Sequence, residues 1–267
     1  AASMATMLRS ENFYMDSISQ QLPSFLLRAQ AGDQNILNNF LKLKGIEFKN
    51  LDLDASLQDS LPFKVNMVIN QLDAGKIQLD ILTFSLRQKQ QRLNYLLRVA
   101  NHPGNLDSLG MIALYGHIEG NEAILNCLQE GRTGRIGFHF GLKSTMEDST
   151  LTIRMFPENP IFGAEPWQVN PNNYIAYHWG HDLHADFRLT HNTQHVSLST
   201  DNRTESGPLT LDIQGIDIGK TLALFLPSTS LEGILSTRIT LQEQNFSDHA
   251  LDINGSLTLS NLIYENS

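Results

Sequence analysis

The sequence predicts an all-β, antiparallel fold with few short helices, and three observations carry the expectation. Apolar and polar residues alternate with period two through most of the chain, as half-buried antiparallel strands require. Turn-forming residues recur every ~8–15 positions, leaving room for about sixteen short strands. Only one stretch before the C-terminal third keeps helical spacing. No repeat length recurs, which disfavours a propeller or a regular β-helix.

Taken in order, Asn12 to Gln20 and Phe25 to Gln30 read as strands joined near Pro23. A helix follows, with Asp33 as its N-cap, Ile36, Leu37, Phe40 and Leu41 at helical spacing, and Gly45 closing it. Such a helix covers one end of a sheet. Ile46 to Leu57 alternates with a register change near Asn50, and Phe63, Val65, Met67 and Ile69 form the next strand. Ile77, Leu79 and Ile81 switch parity to Leu82, Phe84 and Leu86, which reads as an edge where the sheet bends or is covered on both sides. Leu93 to Val99, Ile112 to Ile118, Ile124 with Leu128, Ile136 to Leu142, and Leu151 to Met155 continue the series.

Pro157 to Pro160 breaks the pattern, and Gly163 to Pro166 marks a boundary or crossover. The expected division is 1–160 and 161–267, two parts of one continuous unit. Trp167 to Ile175 reads as a hairpin turning at Asn170 to Asn173. Leu183 to Leu189 and Val196 with Leu198 are strands, and Asp201 to Gly207 is a polar loop. Leu209 to Ile213, a short amphipathic turn ending at Pro227, Leu231 to Leu241, and Leu251 to Leu259 complete the chain.

Composition excludes several classes. The net charge is −9 with 19 Lys and Arg and no basic cluster, which disfavours nucleic acid and docking on anionic lipid surfaces. No stretch approaches the ~20 apolar residues of a membrane helix, and the first residues do not form a signal peptide. The chain reads either as cytosolic or as a piece of a longer exported protein. The single cysteine, Cys127, allows no internal disulfide and reads as a small buried filler.

Chemical motifs are weak. His178, His181, His184, His191 and His195 invite a metal reading, but strand alternation turns His181 away from His178 and His184. Asp182, His184 and Asp186 share a face that is the polar, outward one. Gly131-Arg-Thr-Gly-Arg135 lacks the Lys-Ser/Thr ending of a phosphate loop and reads as a turn. No nucleophile elbow or metalloprotease helix is present, so the chain is expected to be no enzyme and to need no cofactor.

The feature with functional content is the aliphatic stripe. Its faces either meet in a sandwich or line an open gutter that holds apolar material. Asp217 to Pro227, then Leu231-Glu-Gly-Ile-Leu-Ser236, then Leu251-Asp-Ile-Asn-Gly-Ser-Leu257 and Asn261-Leu-Ile-Tyr264, resemble the repeating pattern of the TamB family. Trp167 to Ile175 looks like that family's Trp–Pro–Asn hairpin. The helix Asn35 to Leu41, with Tyr14 to Ser17 before it, is similar to members from Bacteroidetes-type bacteria.

The resemblance implies a long curled antiparallel sheet, the β-taco, with an apolar inner groove. It implies an internal or C-terminal-region piece of a longer, inner-membrane-anchored periplasmic protein of a diderm bacterium. Such proteins are similar to AsmA-like and other bridge-like lipid transfer proteins. The implied partner is phospholipid or another acyl-chain lipid, carried toward the outer membrane. The alternative is an outer-membrane protein or autotransporter assembly factor that pairs by β-augmentation and works with an outer-membrane barrel protein. A carbohydrate-binding or adhesin sandwich is disfavoured by the 8% aromatic content. On the lipid reading the lining is Leu183, Phe187, Leu189, Val196, Leu198, Leu209, Leu211, Ile213, Leu235, Ile239, Leu251, Ile253, Leu257 and Leu259.

Overall fold

The computed structural model describes residues 23–58, 61–75, 77–101, 110–131, 134–179, 183–201, 207–223, 231–241 and 253–264. The expected all-β class holds: strands dominate the described residues, and two short helices accompany them. The chain divides into two compact units, one up to Ile136 and one from Gly137.

The first unit is an antiparallel meander of β1 (Phe25–Gly32), β2 (Asn50–Gln58), β3 (Leu61–Ala74), β4 (Ile77–Lys89), β5 (Arg92–Asn101), β6 (Met111–Glu119) and β7 (Glu122–Glu130). Each strand pairs with the next in sequence. Bulges between β2 and β3 at Ser56/Gln58, and between β4 and β5 at Leu79/Ile81, bend and coil the ladder. The parity switch before Leu82 is the second of these. β4 is an interior strand paired on both sides, so the expected edge is corrected to a bulge. The register change expected near Asn50 is absent, because β2 begins there. The Asn12–Gln20 strand lies outside the described residues.

Helix α1 (Ile36–Lys42) sits in the β1–β2 connection. Its N-cap is Asn35, whose Oδ1 accepts a bond of 2.8 Å from Leu37 N, rather than Asp33. Gly45 has φ +73°, the left-handed turn expected of a closing glycine. The helix does not cover the sheet with its apolar stripe. Asn38 is the buried residue, and Ile36, Leu37 and Phe40 are exposed.

The second unit comprises β8 (Ile136–Glu147), β9 (Thr150–Phe162), β10 (Glu165–Pro166), β11 (Gln168–Val169), β12 (Tyr174–His178), β13 (Leu183–His191), β14 (Gln194–Thr200), β15 (Leu209–Asp217), helix α2 (Ile218–Ala223), β16 (Leu231–Leu241) and β17 (Ile253–Tyr264). From β13 to β17 it is again a meander. Pro157 to Pro160 does not end β9. The extra residues there bulge out between the pairs His139–Ile161 and Gly141–Phe156, and the strand continues to Phe162. The Phe156 ring fills the space over Gly141, where a Cβ would lie 2.2 Å from the ring. Gly163 and Ala164, both at positive φ, turn the chain from β9 into β10.

The expected hairpin at Trp167–Ile175 is also corrected. β11 and β12 both pair with β13, so they are two pieces of one interrupted strand line. Asparagine side chains complete the ladder across the interruption. Asn170 Oδ1 accepts from Arg188 N at 2.8 Å. Asn173 Oδ1 accepts from Met155 N at 2.7 Å while its Nδ2 donates to Met155 O at 3.0 Å. These bonds explain why Asn173 is buried.

Candidate functional site

Residues directly opposite across an antiparallel pair share a sheet face, so the registers place every strand side chain on one face or the other. In the second unit Phe187, Leu198, Leu211 and Ile239 are successive cross-strand partners. Leu189, Val196, Ile213, Thr237 and Leu257 form the neighbouring row. Leu209 pairs with Leu241 and Leu241 with Ile253, while Leu235 pairs with Leu259. Leu183 faces Tyr177 and, beyond it, Leu151. All expected lining residues whose side chains the structure describes therefore lie on one face. Leu251 lies outside the described residues.

Exposure of this face grows toward β17. Leu189 and Leu209 are buried, whereas Ile239, Leu259 and Leu257 expose 36%, 47% and 67%. Beyond Leu189 the face continues as an aromatic run. Phe140 stacks on Phe162 at 5.2 Å, Phe162 meets Trp167 edge-on at 6.2 Å, and Trp167 stacks on His191 at 5.4 Å.

The first unit carries a longer face of the same kind, which the sequence reading did not assign as lining. One row crosses all seven strands as Ala29, Leu53, Met67, Phe84, Leu97, Leu114 and Cys127. The next runs Leu27, Ala55, Val65, Leu86, Tyr95, Gly116 and Leu125. The signal was present in the alternation, but which strands pair is not written in it. On β7 the face belongs to Ala123, Leu125 and Cys127, the parity opposite to Ile124 and Leu128.

Burial separates a packed core from an open face. Leu53, Met67, Phe84, Leu97 and Leu114 sit mid-strand with neighbours on both sides, yet all are only half-buried. A second layer packed against them would remove them from solvent altogether. Cys127, at the end of the row, is buried, and desolvation pushes its thiol pKa up.

The few polar groups on these faces bond to the backbone. Tyr95 Oη donates to Ile124 O at 2.8 Å, reaching over Gly116, where a Cβ would lie 1.7 Å from that carbonyl. Burial raises the Tyr95 pKa, which keeps the phenol a donor. Thr237 Oγ1 donates to Ser256 O at 2.8 Å, and Thr200 Oγ1 accepts from Ala185 N at 2.9 Å. Among the described residues no buried side-chain nitrogen or oxygen lacks a partner. Such a surface suits apolar material chemically, and among the described residues its polar groups are tied to the backbone.

The opposite face is polar. Asp212 is buried there between Arg238, Gln214 and His195. Burial disfavours its charge, but the bonds from Gln214 and Arg238 and the nearby positive charges outweigh burial and lower its pKa. His178 bonds Thr150 Oγ1 at 2.9 Å, whereas His191, on the apolar face, has Nδ1 2.9 Å from Pro166 O. Among the described residues no three His, Cys, Asp or Glu side chains converge on a metal position. His181 and Asp182 lie outside them.

Comparison with protein-family models, with curated proteins and with solved structures finds no match. No helix among the described residues is long and apolar enough to cross a membrane.

Proposed function

We propose that the chain is a lipid conduit: a section of a periplasmic bridge whose apolar sheet faces solvate the acyl chains of phospholipid on the way to the outer membrane. The TamB resemblance supplies the cellular setting, a longer protein anchored in the inner membrane. One observation carries the reading: the mid-strand row from Leu53 to Leu114 is apolar throughout and stays half-open.

Dimensions and energies agree. Seven strands at ~4.8 Å spacing span about 29 Å, whereas one leaflet's acyl chains occupy roughly half of a ~30 Å hydrocarbon core. At ~0.8 kcal/mol per buried CH₂, a fatty chain gains on the order of 10 kcal/mol by leaving water. Neighbouring rows are chemically alike, so that gain changes little as the chain moves along. No bond is made or broken, and the function is solvation.

Mass spectrometry of the purified chain for co-isolated lipid tests the proposal. Acyl-chain lipid bound in stoichiometric amount is the expected result, and a lipid-free protein with no uptake from labelled vesicles refutes it. A second reading, assembly of outer-membrane proteins with a barrel partner by β-augmentation, has its own support. β17 pairs on one side only among the described residues, and Leu257, Leu259 and Ile263 on it are exposed.

A further inference from the structure

Helix α1 presents its apolar side to solvent and its polar side to the protein. Asn38 is fully buried; its Nδ2 donates to Asp33 O at 2.9 Å and Phe48 O at 2.6 Å, and its Oδ1 accepts from Phe48 N at 3.2 Å. At ~100° per residue, Leu43, Ile36, Phe40 and Leu37 cover an arc of about 120° on the other side. They expose 81%, 86%, 57% and 44% of their surface. Rolling the helix to bury this arc would break all three Asn38 bonds, so the outward orientation is fixed by the fold.

The local charge differs in sign from that of the whole chain. Over residues 33–49 Lys42, Lys44 and Lys49 stand against Asp33 and Glu47, a net charge of about +1 in a chain of net charge −9. Glu47 pairs with Lys42 at 3.4 Å, and Lys44 and Lys49 make no ion pair among the described residues. Apolar side chains on one arc, followed directly by the unpaired Lys44 and, past Phe48, by the unpaired Lys49, match the headgroup–acyl boundary of an anionic bilayer.

We infer that α1 is a membrane-docking element. Ile36, Phe40 and Leu43 enter the interface of an anionic bilayer, while Lys44 and Lys49 lie at the lipid phosphates. A protein groove would also accept the apolar arc, but the unpaired lysines favour the lipid surface. The inference does not require that the sheet faces carry lipid.

The test is flotation of the purified chain with vesicles of mixed phosphatidylcholine and phosphatidylglycerol, or of phosphatidylcholine alone. The chain is expected to float with the mixed vesicles. Ile36→Ser with Phe40→Ser changes exposed residues only, so folding is retained; vesicle partitioning should fall at least about tenfold. Lys44→Glu with Lys49→Glu should lower partitioning by about 25-fold on mixed vesicles, roughly fivefold per lysine, and change little on phosphatidylcholine. Co-purified lipid should be unchanged in both variants, which separates this docking from the trough. The inference is overturned if the chain does not float, whether residues 1–22 or a second copy covers the helix. It is also overturned if the serine variant floats as well as the parent.

Discussion

Replacing Leu97 with glutamate distinguishes an open trough from a closed core by magnitude. Leu97 lies inside the apolar row from Ala29 to Cys127, between Phe84 and Leu114, and is half-buried. Complete burial of a leucine is worth ~1.5–3 kcal/mol, so the half-buried side chain contributes about 1 kcal/mol. The weaker strand propensity of glutamate adds at most ~1 kcal/mol. On an open face the carboxylate stays hydrated, and the total cost is about 1–2 kcal/mol. At ~2–4 °C per kcal/mol for a chain of this size, the melting temperature should fall by roughly 2–8 °C, with the strand signal intact. In a closed core the same substitution buries an unpaired charge, costs several kcal/mol and unfolds the unit. Thermal melts by circular dichroism and mass spectrometry of extracted lipid are the two assays. The expected outcome is a folded variant whose lipid content falls severalfold, while Leu97→Met keeps both fold and lipid. Loss of the folded state refutes the open face, and a folded variant with undiminished lipid refutes its role.

Gly116→Val should be far more damaging than its position suggests. Its Cβ would meet Ile124 O at 1.7 Å and displace the Tyr95 hydroxyl from that carbonyl; a loss of about 3 kcal/mol or more is expected in denaturant melts, and a loss below about 1 kcal/mol contradicts the close approach. Asp212→Asn tests the polar face through pH. The folded carboxyl titrates below the usual carboxylate range, so its stabilisation is complete above the unfolded pKa and is lost as pH falls through the lower folded value. The variant should melt below the parent at neutral pH, with the difference closing under acid conditions; a difference independent of pH is the contrary result. Cys127 should react slowly with iodoacetate at neutral pH, because burial leaves it little thiolate, and speed up on unfolding. Rapid labelling of the folded chain would show the thiol to be accessible.

Much of this architecture was legible in the sequence, because period-two alternation assigns side chains to faces without knowledge of pairing. The second unit's candidate lining came out on one face for that reason. Features that break the period were harder to read. The parity switch between Ile81 and Leu82 is a bulge inside an interior strand, and Pro157 to Pro160 is another; excess residues on one strand, one in the first case and three in the second, look locally like a strand end. At Trp167–Ile175 the composition of a turn is present without a hairpin, because Asn170 and Asn173 replace ladder bonds with side-chain ones. Helix α1 was recognised by its spacing, but spacing does not say which side of a helix faces the sheet. Asn38 decides that through bonds to Phe48, ten residues away.

The lipid-conduit and assembly-factor readings meet on β17 and separate there by which atoms matter. A conduit depends on side chains of one face, so Leu257→Asp with Leu259→Asp should drive lipid from that end while leaving the pairing with β16 intact. An assembly factor depends on backbone N–H and C=O groups of the outer edge, which those substitutions do not alter. The two residues expose 67% and 47% of their surface, so their replacement costs little stability and the variant tests function directly. Loss of lipid with retained client pairing favours the conduit, and retained lipid with lost pairing favours assembly. The same face reaches β16 through the Thr237–Leu257 and Leu235–Leu259 pairs. A charge on β17 therefore acts on a continuous surface, and its effect on lipid should extend beyond the edge strand itself.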